Sequence, residues 1–234
     1  MEASILRTRA RESLAGNWGV SIGTAALAVL LGGTITGSSF LPKLDVSIPV
    51  FQELAARMNR TLQMGDWSFH LNFGSTSLFG FAAFLIGGVL QLGYAKFLLK
   101  QQDGQAIEFN DLFSEFDRFG TGFAQHFLRS LYITLWSLLL IIPGIIKALS
   151  YSMTPFILAE HPNLTASQAI DLSMQMMDGY KMELFILDLT FLGWDLLAAM
   201  TLNLGYLVLN PYRNAAHAAF YRQLQVENRY TSYE

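Results

Sequence analysis

The chain of 234 residues is 52% hydrophobic and 14% charged, whereas an ordinary soluble domain carries roughly 25% charged residues. This composition excludes an intrinsically disordered chain and leaves too few charges to coat an ordinary soluble enzyme. The net charge of −3 gives no basic excess for nucleic acid, and the absence of cysteine excludes disulfides, cysteine–zinc sites, iron–sulfur clusters and thiol catalysis.

Long stretches without charge predict membrane-spanning helices. About 20 consecutive apolar residues form a helix that crosses the hydrocarbon core of a bilayer. The predicted fold is all-α, a polytopic transmembrane helical bundle in which residues 1–234 form a single integral membrane domain. We predict about six spans: Trp18–Phe40, Ser77–Ala95, Ser130–Ile146, Ala148–Ala159, Leu184–Met200 and Leu202–Phe220.

The first apolar run resembles a secretory signal peptide because three arginines, Arg7, Arg9 and Arg11, precede it. However, the basic region also holds Glu2 and Glu12, the run is longer than a typical signal core, and no convincing Ala-x-Ala cleavage site follows. The sequence therefore favours an uncleaved first transmembrane helix.

The segment Ser130–Ala159 is too long for one span, since its 30 residues would reach about 45 Å as a helix, against a core of roughly 30 Å. Pro143-Gly144 lies near its middle, where such a pair breaks or kinks a helix. We predict two short spans that meet at Pro143-Gly144 near the outer interface, and one long bent helix is the alternative.

Positive charge orients the bundle with both termini in the cytoplasm, because inner segments of membrane proteins are enriched in lysine and arginine. With six spans, the outer segments hold Lys43, Arg57, Arg60 and Lys147. The inner side holds eleven basic residues, one of which, Arg213, lies within the last predicted span: Arg7, Arg9, Arg11, Lys96, Lys100, Arg118, Arg129, Lys181, Arg213, Arg222 and Arg229.

Three connections between the spans have helical patterns. The outer insertion, residues 43–74, contains an amphipathic helix at Val50–Leu62, which either lies on the outer membrane surface, caps the bundle or forms a lid. The inner connection 96–129 contains phenylalanines at helical spacing, which predict a short helix or a loop anchored by aromatic rings. The inner connection 160–183 contains a helix capped by Thr165 and Gln168 and ended by Gly179 at C′.

A cluster of polar residues lies inside the last two spans. Asp188 and Asp195 are seven residues apart and share one helix face, and Arg213 lies between them in depth on the next span. Because a charged side chain at mid-membrane is costly, these residues are expected to face the bundle interior and pair. Asn210 and His217 complete the intramembrane cluster, which is either a structural ion-pair network or a polar pathway for an ion or amphiphile.

Two further patterns concern packing and chemistry. Gly19-x-x-x-Gly23 and Gly33-x-x-x-Gly37 predict close helix packing within the bundle, or dimerisation. No nucleophile elbow, phosphate loop or metalloprotease motif is present, and the four histidines lie in different segments. We therefore predict no catalytic, cofactor or metal site and no enzymatic activity.

Several motifs resemble a family of bacterial membrane proteins catalogued as domain of unknown function 975. They cover nearly the whole chain: Arg9-Ala10-Arg11-Glu12-Ser13-Leu14, Gly16-Asn17-Trp18, Leu92-Gly93-Tyr94-Ala95, Asp111-Leu112-Phe113, Ile142-Pro143-Gly144-Ile145-Ile146-Lys147, Ala159-Glu160-His161-Pro162, Gly179-Tyr180-Lys181, Phe191-Leu192-Gly193-Trp194 and Ala218-Ala219-Phe220-Tyr221. The family looks distantly like the membrane domain of some glycerophosphodiester phosphodiesterases.

The resemblance implies a multi-pass protein of the cell membrane and carries no known catalytic residue. We expect a binding or accessory protein of the bacterial cell envelope, involved in stress or in protection against membrane-active peptides. Its expected partners are the lipid bilayer and a membrane protein or a second copy. The alternative is a small transporter or permease that uses the Asp188, Asp195 and Arg213 cluster.

Overall fold

The structure, a computed structural model, describes residues 2–31, 76–201 and 204–228. These residues form ten α-helices and two 3₁₀ helices, Phe109–Phe113 and Phe116–Arg118, and no strand, which confirms the all-α fold class. The α-helices are α1 (Ala3–Leu14), α2 (Trp18–Leu30), α3 (Thr76–Gln102), α4 (Phe119–Leu139), α5 (Ile141–Ser150), α6 (Thr154–Glu160), α7 (Ala166–Met176), α8 (Lys181–Leu189), α9 (Leu192–Met200) and α10 (Tyr206–Asn228). The insertion 43–74, with the helix predicted at Val50–Leu62, lies outside the described residues.

One helical stretch in the described part of the chain, Ile142–Glu160, is long and apolar enough to cross a membrane. Half of the most apolar part of this stretch is buried inside the fold. The core helix of a soluble protein can be equally long and apolar. Trp18–Val29 is apolar but shorter. The prediction of six spans is therefore not confirmed.

Helices α3 and α4 cross closely at two glycines. A Cβ atom on Gly88 would lie 2.2 Å from the Gly122 carbonyl oxygen, and one on Gly122 would lie 2.7 Å from the Cα of Val89. Neither position accepts a side chain without moving a backbone. Of the glycines predicted to pack, Gly23 faces the ring of Phe109 within the chain, whereas no described residue lies within 4 Å of a Cβ placed on Gly19. Gly33 and Gly37 lie outside the described residues.

Helices α4 and α5 form an antiparallel hairpin, as Lys147 lies 5.2 Å from the Trp136 ring centroid and the rings of Tyr132 and Tyr151 are 6.1 Å apart. The chain breaks at Leu140, which is extended with φ −158° and ψ 143°, three residues before the predicted Pro143-Gly144. In a continuous helix, the proline ring would clash with the carbonyl four residues earlier. The earlier break places Pro143 in the first turn of α5, where a backbone N–H has no carbonyl partner within the helix.

Two predicted spans differ in their bounds from the helices of the structure. Helix α4 begins at Phe119 instead of Ser130, and Arg129, which was assigned to an inner segment, lies buried in the middle of this helix. The predicted span Leu184–Met200 is two helices of nine residues, α8 and α9. They are separated at Thr190, whose hydroxyl donates to the Leu187 carbonyl, a local bond that competes with the regular helix ladder.

The N-terminal arginines belong to a separate helix, α1, instead of forming only a flank of the first span. The face of α1 formed by Leu6, Ala10 and Leu14 is buried and packs on α10. Helix α10 offers a row of small residues to its neighbours: Ala215, Ala216, Ala218 and Ala219 are all buried. Small side chains let two helices approach closely.

The predictions for the inner connections are confirmed in part. Thr165 and Gln168 form the predicted capping box at the start of α7, and Ala166, Ala169, Leu172 and Met176 are buried. Gly179 has the positive φ expected of a helix-ending glycine, +82°, but it occupies C″ instead of the predicted C′, because α7 ends at Met176 with Met177 as its cap residue. The phenylalanine-rich connection folds into the two 3₁₀ helices instead of one α-helix.

Candidate functional site

The predicted polar cluster is built where α8 and α9 pack on α10. Arg213 Nη2 donates a hydrogen bond to Asp195 Oδ2, and His217 Nε2 lies 2.7 Å from Asp188 Oδ1. Each aspartate therefore has a partner on α10. Although the break at Thr190 interrupts the predicted helix, both carboxylates still reach the same neighbouring helix.

Aromatic side chains enclose the Arg213–Asp195 pair. The Arg213 guanidinium lies 5.4 Å from the ring centroid of Phe191, a distance at which cation–π attraction operates. Phe191 is fully buried and meets Tyr212 edge to face, with 5.3 Å between ring centroids. Tyr206 donates its hydroxyl to the Asp195 backbone carbonyl at 3.2 Å. These contacts hold the ion pair away from solvent.

One hydrogen bond, from Arg213 Nη2 to Asp195 Oδ2, joins the Arg213–Asp195 pair. Asp195 Oδ1 and Arg213 Nε are buried and have no hydrogen-bond partner among the described residues. A buried ion pair whose remaining polar atoms are unsatisfied repays little of its desolvation penalty. The pair is therefore expected to contribute little net stability, while the loss of either partner would leave a buried charge.

The two aspartates differ in exposure. Asp195 has 8% of its side-chain surface exposed, whereas Asp188 has 39% exposed, although its partner His217 is buried with 7%. Asp195 is thus the enclosed member of the cluster, and Asp188 lies at its edge. Among the described residues, no group of three histidine, aspartate or glutamate side chains is placed to hold a metal ion.

Asn210 does not join the cluster. It is half-buried in α10, and its amide makes no hydrogen bond to a described member of the cluster. Asn214, on the turn that follows, instead donates to the Tyr94 hydroxyl at 3.1 Å and ties α10 to α3.

Sequence reasoning missed a second buried polar contact. Gln125 Nε2 donates to Gln91 Oε1 at 2.9 Å between α3 and α4, and both residues are buried. Gln91 lies inside the predicted span Ser77–Ala95, whereas Gln125 lies in the predicted inner connection 96–129. The two glutamines were therefore not expected to lie in neighbouring helices at the same depth.

Comparison with protein families identifies the C-terminal part of the chain. Residues 138–228 match the family described as a protein of unknown function, DUF975. The match covers 91 of the 234 residues of the chain. The match confirms the family resemblance inferred from the sequence motifs. Comparison with curated proteins gave no match, and comparison with solved structures gave none either.

The DUF975 segment runs from the end of α4 to the end of α10. It contains both aspartates, Arg213, Asn210 and His217, so the whole predicted cluster lies within it. The glycine crossing of α3 and α4 and the Gln91–Gln125 contact lie outside it. The resemblance to glycerophosphodiester phosphodiesterase membrane domains stays a prediction.

Proposed function

We propose that this chain is a multi-pass membrane protein of the bacterial cell envelope that works by binding other molecules, without catalysis. The observation that supports a role without transport or catalysis is the enclosure of the Arg213–Asp195 pair. A transport site needs a charged group that a solute can reach, and this pair is nearly inaccessible, with 14% and 8% of its side-chain surfaces exposed.

A membrane location is supported by an apolar stripe along α4. Phe119, Phe127, Leu131 and Leu135 are large, exposed and spaced by four or eight residues, so they share one face of the helix. The tip of the following hairpin adds the exposed Leu140 and Ile142. In water this surface would be an aggregation liability, whereas in lipid it is a favourable surface.

A second exposed apolar surface, on α8 and α9, supports the same location. Its members are large hydrophobic side chains that no described part of the chain covers: Met182, Phe185, Ile186, Leu189, Leu192, Trp194, Leu196, Leu197 and Met200. Each of these two helices is about 14 Å long at 1.5 Å per residue, so together they approach the thickness of the bilayer core.

We propose that both termini face the cytoplasm and that residues 43–74 face outward. Reporter fusions after Glu234 and within residues 43–74 are expected to report opposite sides of the membrane, because the basic residues are concentrated on the proposed inner side. A fusion after Thr8, on α1, is the matched control and should agree with the fusion after Glu234. The same side for the first two fusions would contradict this topology.

The accessory role predicts a protective phenotype. We expect deletion of the gene in its source organism to lower the minimal inhibitory concentration of membrane-active peptides, and the intact chain to restore it. The Asp195→Leu/Arg213→Leu double variant should restore it equally, because the pair acts structurally. Unchanged peptide sensitivity in the deletion strain would contradict the proposed role.

A small transporter is the second candidate, and the exposure of Asp188 favours it. Its carboxylate is partly accessible and lies in a chain that is otherwise poor in charge, so it could contact a passing cation. In the complementation experiment, a transporter predicts that Asp188→Asn reaches the membrane at normal abundance but fails to restore resistance. The accessory role predicts that Asp188→Asn restores it.

A further inference from the structure

A polar cleft of about 850 Å³ lies at the end of the bundle where α1, α3 and α6 end and α10 passes. Its lining includes Arg9, Glu12, Gln101, Asp103, Glu160 and Arg222. None of the residues that line it belongs to the Arg213–Asp195 cluster. Its volume is within the range of small-molecule sites.

One wall of the cleft is a preformed ion-pair network. Arg222 donates from Nη2 to Asp103 Oδ2 at 2.5 Å and from Nη1 to Glu160 Oε1 at 2.6 Å. The second Glu160 oxygen accepts from the Tyr221 hydroxyl at 2.7 Å and from Gln225. Since two carboxylates already match the Arg222 charge, this guanidinium does not recruit an anion.

Hydrogen bonds between α1 and α3 fix the opposite wall. Gln102 Nε2 donates to Ser13 Oγ at 3.0 Å and to the Ala215 carbonyl at 2.9 Å. Gln101 Nε2 donates to the Ser13 carbonyl at 3.3 Å. The distance between the walls is therefore set by contacts between three helices.

The side chains that line the cleft carry a net negative charge. Three carboxylates, of Glu12, Asp103 and Glu160, line it together with two guanidiniums, of Arg9 and Arg222. The C-terminal ends of α1 and α3 also border it, and a helix C-terminus carries a partial negative charge. Glu12 is exposed and has no ion pair with a described residue, so its charge is available to a ligand.

Gln101 adds a hydrogen-bond acceptor that lacks a donor. The residue is 3% exposed, and its Oε1 atom has no hydrogen-bond partner in the part of the chain that the structure describes. Buried polar groups in folded proteins normally have a partner, so an orphaned acceptor in a cleft wall is informative. A ligand with an N–H donor would supply what this atom lacks.

We propose that the cleft binds a small organic cation that carries primary ammonium groups. The ammonium supplies the positive charge that the negative lining favours and the donors that Gln101, Glu12 and Asp103 accept. This inference does not depend on the membrane topology or on the protective role.

Titration calorimetry of the full chain in detergent tests the proposal with spermidine as the probe and succinate as the anionic control. Spermidine should bind and succinate should not. Glu12→Gln should weaken spermidine binding by about 2–5-fold, the range of an exposed charge pair, while Arg9→Gln should strengthen it. Asp178→Asn removes an exposed carboxylate outside the cleft and should leave the affinity unchanged.

Glu12→Gln and Asp178→Asn remove the same charge, so a loss of affinity in Glu12→Gln alone separates a site from a general charge effect. A circular dichroism spectrum confirms that each variant is folded. Binding of succinate that is lost in Arg9→Gln would overturn the proposal, because the cleft would then be an anion site. Absence of spermidine binding at millimolar concentration would overturn it as well.

Discussion

Replacing Arg213 by leucine is expected to lower the free energy of unfolding by about 3–5 kcal/mol. The change leaves the buried Asp195 carboxylate without its cationic partner, in surroundings formed by Phe191 and other apolar groups. Chemical denaturation in detergent measures the loss. Arg11→Leu, at an exposed position on α1 without an ion pair to a described residue, is the control and should change stability by less than about 0.5 kcal/mol.

The double variant Asp195→Leu/Arg213→Leu is expected to regain much of this stability. Removing both charges eliminates the desolvation penalty, and apolar replacements of buried ion pairs are often neutral or stabilising. A double-mutant cycle gives the coupling energy directly. If the double variant loses as much stability as the sum of the two single variants, the pair is not coupled and the placement of Arg213 is wrong.

Gly122→Ala is expected to cost about 1–3 kcal/mol, the usual range for overpacking. The new methyl group would lie 2.7 Å from the Val89 Cα and 2.8 Å from the Val89 backbone nitrogen, so α3 and α4 must separate. Gly120 lies two residues earlier in the same helix, and no described residue comes within 4 Å of the position that an alanine Cβ would take there. Gly120→Ala should therefore be neutral or stabilising by up to about 1 kcal/mol.

Thermal unfolding of the two alanine variants side by side checks this contrast. Both substitutions have similar effects on the unfolded chain, so a difference between them reports the helix crossing. Equal stability of Gly120→Ala and Gly122→Ala would contradict the close approach of α3 and α4.

Local chemistry explains which parts of the fold could be predicted from the sequence. The Thr165–Gln168 capping box depends on residues three positions apart, so its pattern is visible in the chain itself. Counting depth along two antiparallel helices placed Arg213 between the aspartates, and the structure places it against Asp195. Both inferences needed only helix geometry and the cost of an unpaired charge.

Contacts between distant segments could not be predicted in the same way. Gly88 and Gly122 do not form a spacing motif within one helix, and their role depends on how α3 and α4 cross. The Arg222 network joins residues 103, 160 and 222, which no sequence period connects. A break was predicted at Pro143-Gly144, but it lies three residues earlier, at Leu140. The shift arises because the ring of Pro143 clashes with the backbone of the preceding turn.

The packing of α1 on α10 joins the first helix of the chain to the last one described. During synthesis, the apolar face of Leu6, Ala10 and Leu14 emerges from the ribosome long before the alanines at positions 215–219. This face therefore stays without its native cover while about 200 further residues are made. The order of translation makes docking of α1 a late event in assembly, and a chain truncated before α10 would keep an uncovered first helix.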